Sequence, residues 1–176
     1  MSTPEDRREA RRGWLISAGF FAAVGLILWF TPGALNLDVW SRLQLKTPDL
    51  APLFAQSWLV QFHVATVALA LVLGPVQFVL RKGTALHRAL GWLWALAMLS
   101  TAIATFFIRD MNDGAFSMIH LFSVMTLIGV PSAVWLARTG RTAAHQRTVI
   151  GLYIGLVIAG VTAIAPGRVI WEMFFR

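Results

Sequence analysis

A chain of 176 residues has room for one domain, yet 57% of it is apolar and only 13% is charged, about half the charged share of an ordinary soluble domain. Uncharged apolar runs, each close to the roughly 20 residues that cross a hydrocarbon core, exclude a water-exposed fold. Backbone groups in lipid must pair within their own segment, so the runs are helices and the fold class is an all-α polytopic membrane protein.

About five spans are expected, with boundaries good to roughly two to four residues. A basic tail covers residues 1–13, and the first span, 14–30, is long and has no small-x-small cleavage site, which marks a retained helix rather than a signal peptide. Residues 31–56 form the longest connection, with Pro32, Pro48 and Pro52 around a mixed stretch at 37–45 that is expected to form a short interfacial helix. The remaining spans are 57–80, 87–108, 116–137 and 145 to about 165, within a core covering 57–176. Pro75 and Pro131 fall inside spans, where each removes a backbone hydrogen bond. Pro166-Gly167 ends the last one and leaves an apolar tail at 169–175 with Trp171 as its interfacial anchor.

The net charge of +7 is a topology signal rather than a nucleic-acid footprint. Arginines of the tail, of the turn around Arg81, Lys82 and Arg88, and of the turn around Arg138, Arg141 and Arg147 carry the whole excess, while charges on the other side cancel. The positive-inside rule then places the N-terminus and both basic turns in the cytoplasm and the C-terminus outside. With no cysteine, disulfides, thiolate metal sites and cysteine nucleophiles are excluded. No phosphate-binding loop, dinucleotide fingerprint, paired carboxylates or acidic residue within a span offers hydrolytic or carboxylate-relay chemistry.

An internal repeat is the most informative feature. His63 precedes His87 by 24 residues and His120 precedes His145 by 25, each pair enclosing a basic, glycine-containing turn. In each copy a threonine, Thr84 or Thr142, stands three residues before the histidine, placed to cap the following helix. The core thus reads as two copies of one helical hairpin, preceded by an extra helix.

These are all four histidines of the chain, two toward each membrane face. A helix rises about 27 Å between His63 and Arg81, so an outer histidine cannot share a metal with an inner one. The candidate pairs are His63 with His120 outside and His87 with His145 inside. Equivalent positions of two hairpins meet across a four-helix bundle, an arrangement suited to paired axial imidazoles on haem b iron, one haem near each face. His87, Gly91, Trp94, Met98, Thr101 and Thr105 share one face of their helix, where Gly91 leaves room for a flat macrocycle, and Thr66, Ala70 and Gly74 lie on the His63 face. Arg88 and Arg147, with Arg81 and Arg138, would meet propionates inside; Arg109 and Arg168 would do so outside.

The expected function is therefore an electron-transfer component, its two haems relaying electrons between a quinol pool and an acceptor across the bilayer. An alternative stays open: histidines at helix starts also serve as interfacial hydrogen-bonding groups, in an accessory or scaffold protein or a small transporter. Gln77 is expected to snorkel toward the basic turn, with a polar cavity as the other option. Gly151, Gly155, Ala159 and Gly160 are expected to allow close helix packing.

The stretch Leu73-Gly74-Pro75-Val76-Gln77-Phe78, then His87-Arg88-Ala89-Leu90-Gly91, Ile119-His120-Leu121-Phe122-Ser123 and the run from His145 through Tyr153 to Arg168 resembles the bacterial integral-membrane family of domain of unknown function 2306 (DUF2306) over about 57–176. The resemblance implies a helical core in a bacterial inner membrane. The spacing of the histidine pairs is also similar in architecture to the diheme cytochrome b-561 superfamily, whose core binds two haems between four helices.

Overall fold

The computed structural model describes residues 44–108, 119–164 and 168–175. The tail 1–13, the span 14–30, most of the connection 31–56, Arg109, the start of the fourth span at 116–118 and Pro166-Gly167 lie outside the described residues.

Among the described residues six helices follow in chain order: α1 (Ala51–Phe54), α2 (Trp58–Val79), α3 (Ala85–Phe107), α4 (Ile119–Arg138), α5 (Thr142–Thr162) and α6 (Val169–Phe174). Four of them, α2 to α5, are long and apolar enough to cross a membrane. At 20 to 23 residues each spans about 30 Å, the thickness of a hydrocarbon core. Short turns join α2 to α3 and α4 to α5, so each pair is an antiparallel hairpin; α3 packs on α4, and α5 returns to touch α2.

The core is thin. Ala70, Leu73, Trp94, Ala97, Met98, Val130 and Leu156 are buried between helices, with small residues letting backbones approach. Large apolar side chains such as Val79 (88% exposed) and Ile128 (64%) face outward. A water-soluble bundle would not tolerate such a surface, whereas lipid solvates it without cost.

One contact closes the ring of helices. Pro75 has no N–H, so the Leu71 carbonyl one turn earlier lacks its helical donor. Tyr153 of α5 supplies a replacement, its hydroxyl donating to Leu71 O at 3.2 Å. The ring lies so close on Gly74 that even a methyl group there would collide with it. Phe78 meets the same ring edge-on, with centroids 5.3 Å apart. Beside it, the Trp94 indole N–H donates to Ala70 O at 3.2 Å, fixing α3 to the same stretch of α2. Gly74 thus serves packing. Gly129 does likewise under Leu152, whereas Gly151 and Gly160 face open space with nothing within 4 Å, against the expectation of close packing there.

At the end opposite the basic turns, residues before α1 run alongside α6. Leu45 and Phe175 form an antiparallel bridge, Lys46 N–H donates to Phe174 O and Asp49 N–H to Met173 O, both at 3.0 Å. The Asp49 carboxylate accepts from Ala51 N–H at 2.9 Å, which starts α1. A short helix of this connection lies at Ala51–Phe54, while most of the stretch 37–45, where one was expected, lies outside the described residues. Trp171 stacks on Phe175 at 5.1 Å within the C-terminal segment.

Tyr153→Phe should lower stability by about 1 kcal/mol, the value of one buried hydrogen bond. Gly74→Ala should cost more, roughly 1–3 kcal/mol, because the tyrosine ring must move. Titration of detergent-solubilised protein with a denaturing detergent reads both. A neutral Tyr153→Phe would show that the Leu71 carbonyl is satisfied some other way.

Candidate functional site at the basic end of the bundle

The two basic turns are built alike up to one residue. Gly83 (φ 77°) and Gly140 (φ 75°) adopt the left-handed conformation in the turns that follow α2 and α4, a backbone state that a side chain would strain. After α4, Arg141 N–H reaches back to Leu136 O at 2.9 Å, closing the turn. After α2, the Lys82 ammonium takes over that task, donating to Gln77 O and Phe78 O at 2.7 Å and to Leu80 O at 3.2 Å.

The next helix begins immediately after each glycine, and here the copies diverge. Thr84 is the N-cap of α3, its hydroxyl accepting from His87 N–H at 3.2 Å, as expected. In the second copy Arg141 occupies the N-cap and no side chain caps the helix. Thr142 is therefore not a cap, because the extra residue pushes it into the first turn. The same insertion puts His145 one position further along its helix than His87. One residue is about 100° of helical rotation, so the two imidazoles leave their helices at different angles.

Both rings line one cavity of about 620 Å³, a size typical of small-molecule and cofactor sites. Gln77, Phe78 and Lys82 enclose it from the end of α2, Arg88, Gly91 and Trp92 from α3, Val134 and Arg138 from α4, and Gln146 and Val149 from α5. Its walls are mostly apolar and its rim carries Lys82, Arg88 and Arg138, with no carboxylate among the described lining residues. Arg88 is steadied by donating from Nη1 to Gly83 O at 2.6 Å, and the Arg138 guanidinium lies 5.6 Å from the centre of the Trp92 ring.

The polar atoms inside are unequally served. His145 Nδ1 is 2.9 Å from Ala133 O. A carbonyl only accepts, so Nδ1 donates in this contact and Nε2 is the nitrogen left to face elsewhere. His87 Nδ1 and Gln77 Nε2 are buried and have no hydrogen-bond partner among the described residues. Gln77 is only 6% exposed, so it does not snorkel; it reaches across to Gly91, whose face is otherwise open. A buried amide without a partner costs about 1–3 kcal/mol.

The outer pair is different. His63 Nδ1 is 3.4 Å from Thr101 O and 3.3 Å from Thr105 Oγ1, and the Thr66 and Thr101 hydroxyls stand 2.8 Å apart beside it. The space it faces measures about 110 Å³ and is lined by Met98, Thr101, Phe122, Ser123 and Gly155, among others, but not by His120. His120 is buried with its ring 5.7 Å from that of Phe106. Among the described residues, the threonines of α3 lie against His63 and the ring of Phe106 lies against His120. Among the described residues no three His, Cys, Asp or Glu side chains converge on a metal position.

The model of the family described as predicted membrane protein (DUF2306) matches residues 60–175 of the chain. The chain belongs to this family. No curated protein and no solved structure matches it.

Within this DUF2306 protein the histidines expected inside, His87 and His145, are brought together with Arg88 and Arg138. Arg147 is not: it follows His145 by two residues, on another face of α5, and lines no part of the cavity. Arg81 is absent from the lining as well, and Arg168 caps α6 at the far end. Lys82, Trp92 and Gln146 are site residues that the sequence did not single out. Gln146 carried a faint signal as a polar neighbour of His145 in a span, whereas Trp92 joins only because α4 lays Arg138 over it.

Thr84→Ala should destabilise the DUF2306 protein by about 1 kcal/mol through loss of the cap, while Thr142→Ala should fall within about 0.5 kcal/mol of wild type. Equal losses in a detergent-unfolding titration would contradict the one-residue offset between the copies.

Proposed function

We propose that this integral membrane protein is an electron-transfer component whose basic end would hold one haem b through His87 and His145. The observation that carries the reading is the cavity itself: two imidazoles from separate hairpins, apolar walls and a cationic rim surround one space large enough for a cofactor. The donor set supports it. Two imidazoles, with no third ligand among the described residues, are too few for a structural zinc site, but they would suffice to hold a haem iron. Gly91 offers a face without a side chain, and Arg88 and Arg138 offer partners for propionates. A bound haem b would supply a one-electron iron couple.

The chain's residues would set the site's properties. Val134, Val149 and Trp92 exclude water, Ala133 orients the His145 ring, and Lys82, with Arg88 and Arg138, adds positive charge that favours the reduced, less positive iron. The charge asymmetry of the sequence supports a cytoplasmic position for this end, with the N-terminus inside and the C-terminus outside a bacterial inner membrane in this reading. The outer histidines take no cofactor in this reading, since the 110 Å³ space beside His63 holds a few waters and no macrocycle.

Protein purified in detergent and supplied with haem b should show a Soret band, sharp bands on dithionite reduction, and a stoichiometry near one haem per chain. The double variant His63→Ala/His120→Ala should keep these bands and His87→Ala/His145→Ala should lose them. A colourless protein that still retains anionic phospholipid through Arg88 and Arg138 would instead give the cavity to a lipid headgroup.

A further inference from the structure

We infer that the two inner imidazoles are unequal ligands, His145 the anchored one and His87 the exchangeable one, so that the site can open a coordination position to a small exogenous ligand. The inference rests on the haem reading and adds a property that the reading does not require.

The reason is the surroundings of each Nδ1. His145 donates from Nδ1 to the Ala133 carbonyl of α4 at 2.9 Å. That bond fixes the ring's orientation and tautomer, aims Nε2, and raises the basicity of Nε2 by drawing on the Nδ1 proton. His87 Nδ1 is buried and has no partner among the described residues. Its main-chain N–H is held by Thr84, but that bond secures the helix start and leaves the ring to turn about its own side-chain torsions. Losing one orienting partner of a metal-bound histidine typically costs 10–100-fold in affinity, and His87 lacks such a partner from the outset.

The difference traces to the one-residue offset of the second turn. His87 is the third residue of its helix and His145 the fourth, so only His145 swings toward the neighbouring helix of its own hairpin, where Ala133 lies. Two hairpins of one design thereby yield a firm ligand and a loose one. The class of ligand admitted is a small neutral donor or diatomic that enters the 620 Å³ cavity beside Gly91, a cavity that Gln77 also lines.

The experiment uses the full chain in detergent, with haem b titrated into wild type, His87→Asn and His145→Asn. Asparagine keeps a donor near the Nδ1 position, so His145→Asn preserves the tie to Ala133 while removing the ligand nitrogen. His87→Asn should retain haem, bind carbon monoxide rapidly when reduced, and regain the wild-type spectrum on addition of imidazole. His145→Asn should bind haem on the order of 10-fold more weakly than His87→Asn. Equal affinities, or the weaker binding in His87→Asn, would overturn the inference while leaving the haem reading intact. Failure of wild type to take up haem would overturn both. A measurement on wild type without haem guards against a variant that does not fold: ¹⁵N shifts should show His145 as a single Nδ1–H tautomer and His87 as a mixture. A single fixed tautomer at His87 would refute the proposal.

Discussion

A proline in the middle of a lipid-embedded helix leaves one carbonyl with no donor and no water to replace it. In α2 that carbonyl belongs to Leu71, and the hydroxyl that satisfies it comes from Tyr153 on α5. The bond matters beyond its own energy because it joins the first hairpin to α5, the second helix of the other hairpin. Gly74 makes the approach possible, and Phe78 and Trp94 pack around the same point. With α2 tied to α5 in this way, the starts of α3 and α5 face a common space at the basic end, and His87 and His145 share it.

Hydrophobic burial alone would not choose this arrangement. Much of the apolar surface of α2 to α5 points outward, where lipid is as good a partner as another helix. What distinguishes one packing from another is therefore close backbone approach at Gly74 and Gly129 and a few interhelical hydrogen bonds, namely Tyr153 to Leu71, Trp94 to Ala70 and His145 to Ala133. The outer half follows the same rule. Thr66, Thr101 and Thr105 satisfy one another and His63 between α2 and α3, beside a space of about 110 Å³ where that at the basic end measures about 620 Å³.

The duplication explains both the likeness of the two ends of the site and their difference. Both turns use a left-handed glycine after the first helix, and both place a histidine in the opening turns of the second. One inserted residue then rotates the second histidine onto Ala133 and moves Thr142 out of the capping position. A symmetric reading of the repeat foresees equivalent histidines, while the helices built from it present inequivalent ones.

The amino-acid sequence alone determined the class of fold, the four core spans and the hairpin pairing, because these depend on local quantities: the length of apolar runs, the absence of charge within them, and glycines at the turns. It also brought the inner histidines to the same membrane face, since hairpin geometry fixes their depth. Which side chains meet at that depth was decided by tertiary structure. Gln77 turns into the cavity, Arg138 reaches it and Arg147 does not, and His63 closes onto threonines, because each outcome depends on the rotation of one helix against another. Helices in lipid carry only weak apolar asymmetry, so periodicity leaves that rotation undetermined; a few small residues and interhelical hydrogen bonds set it.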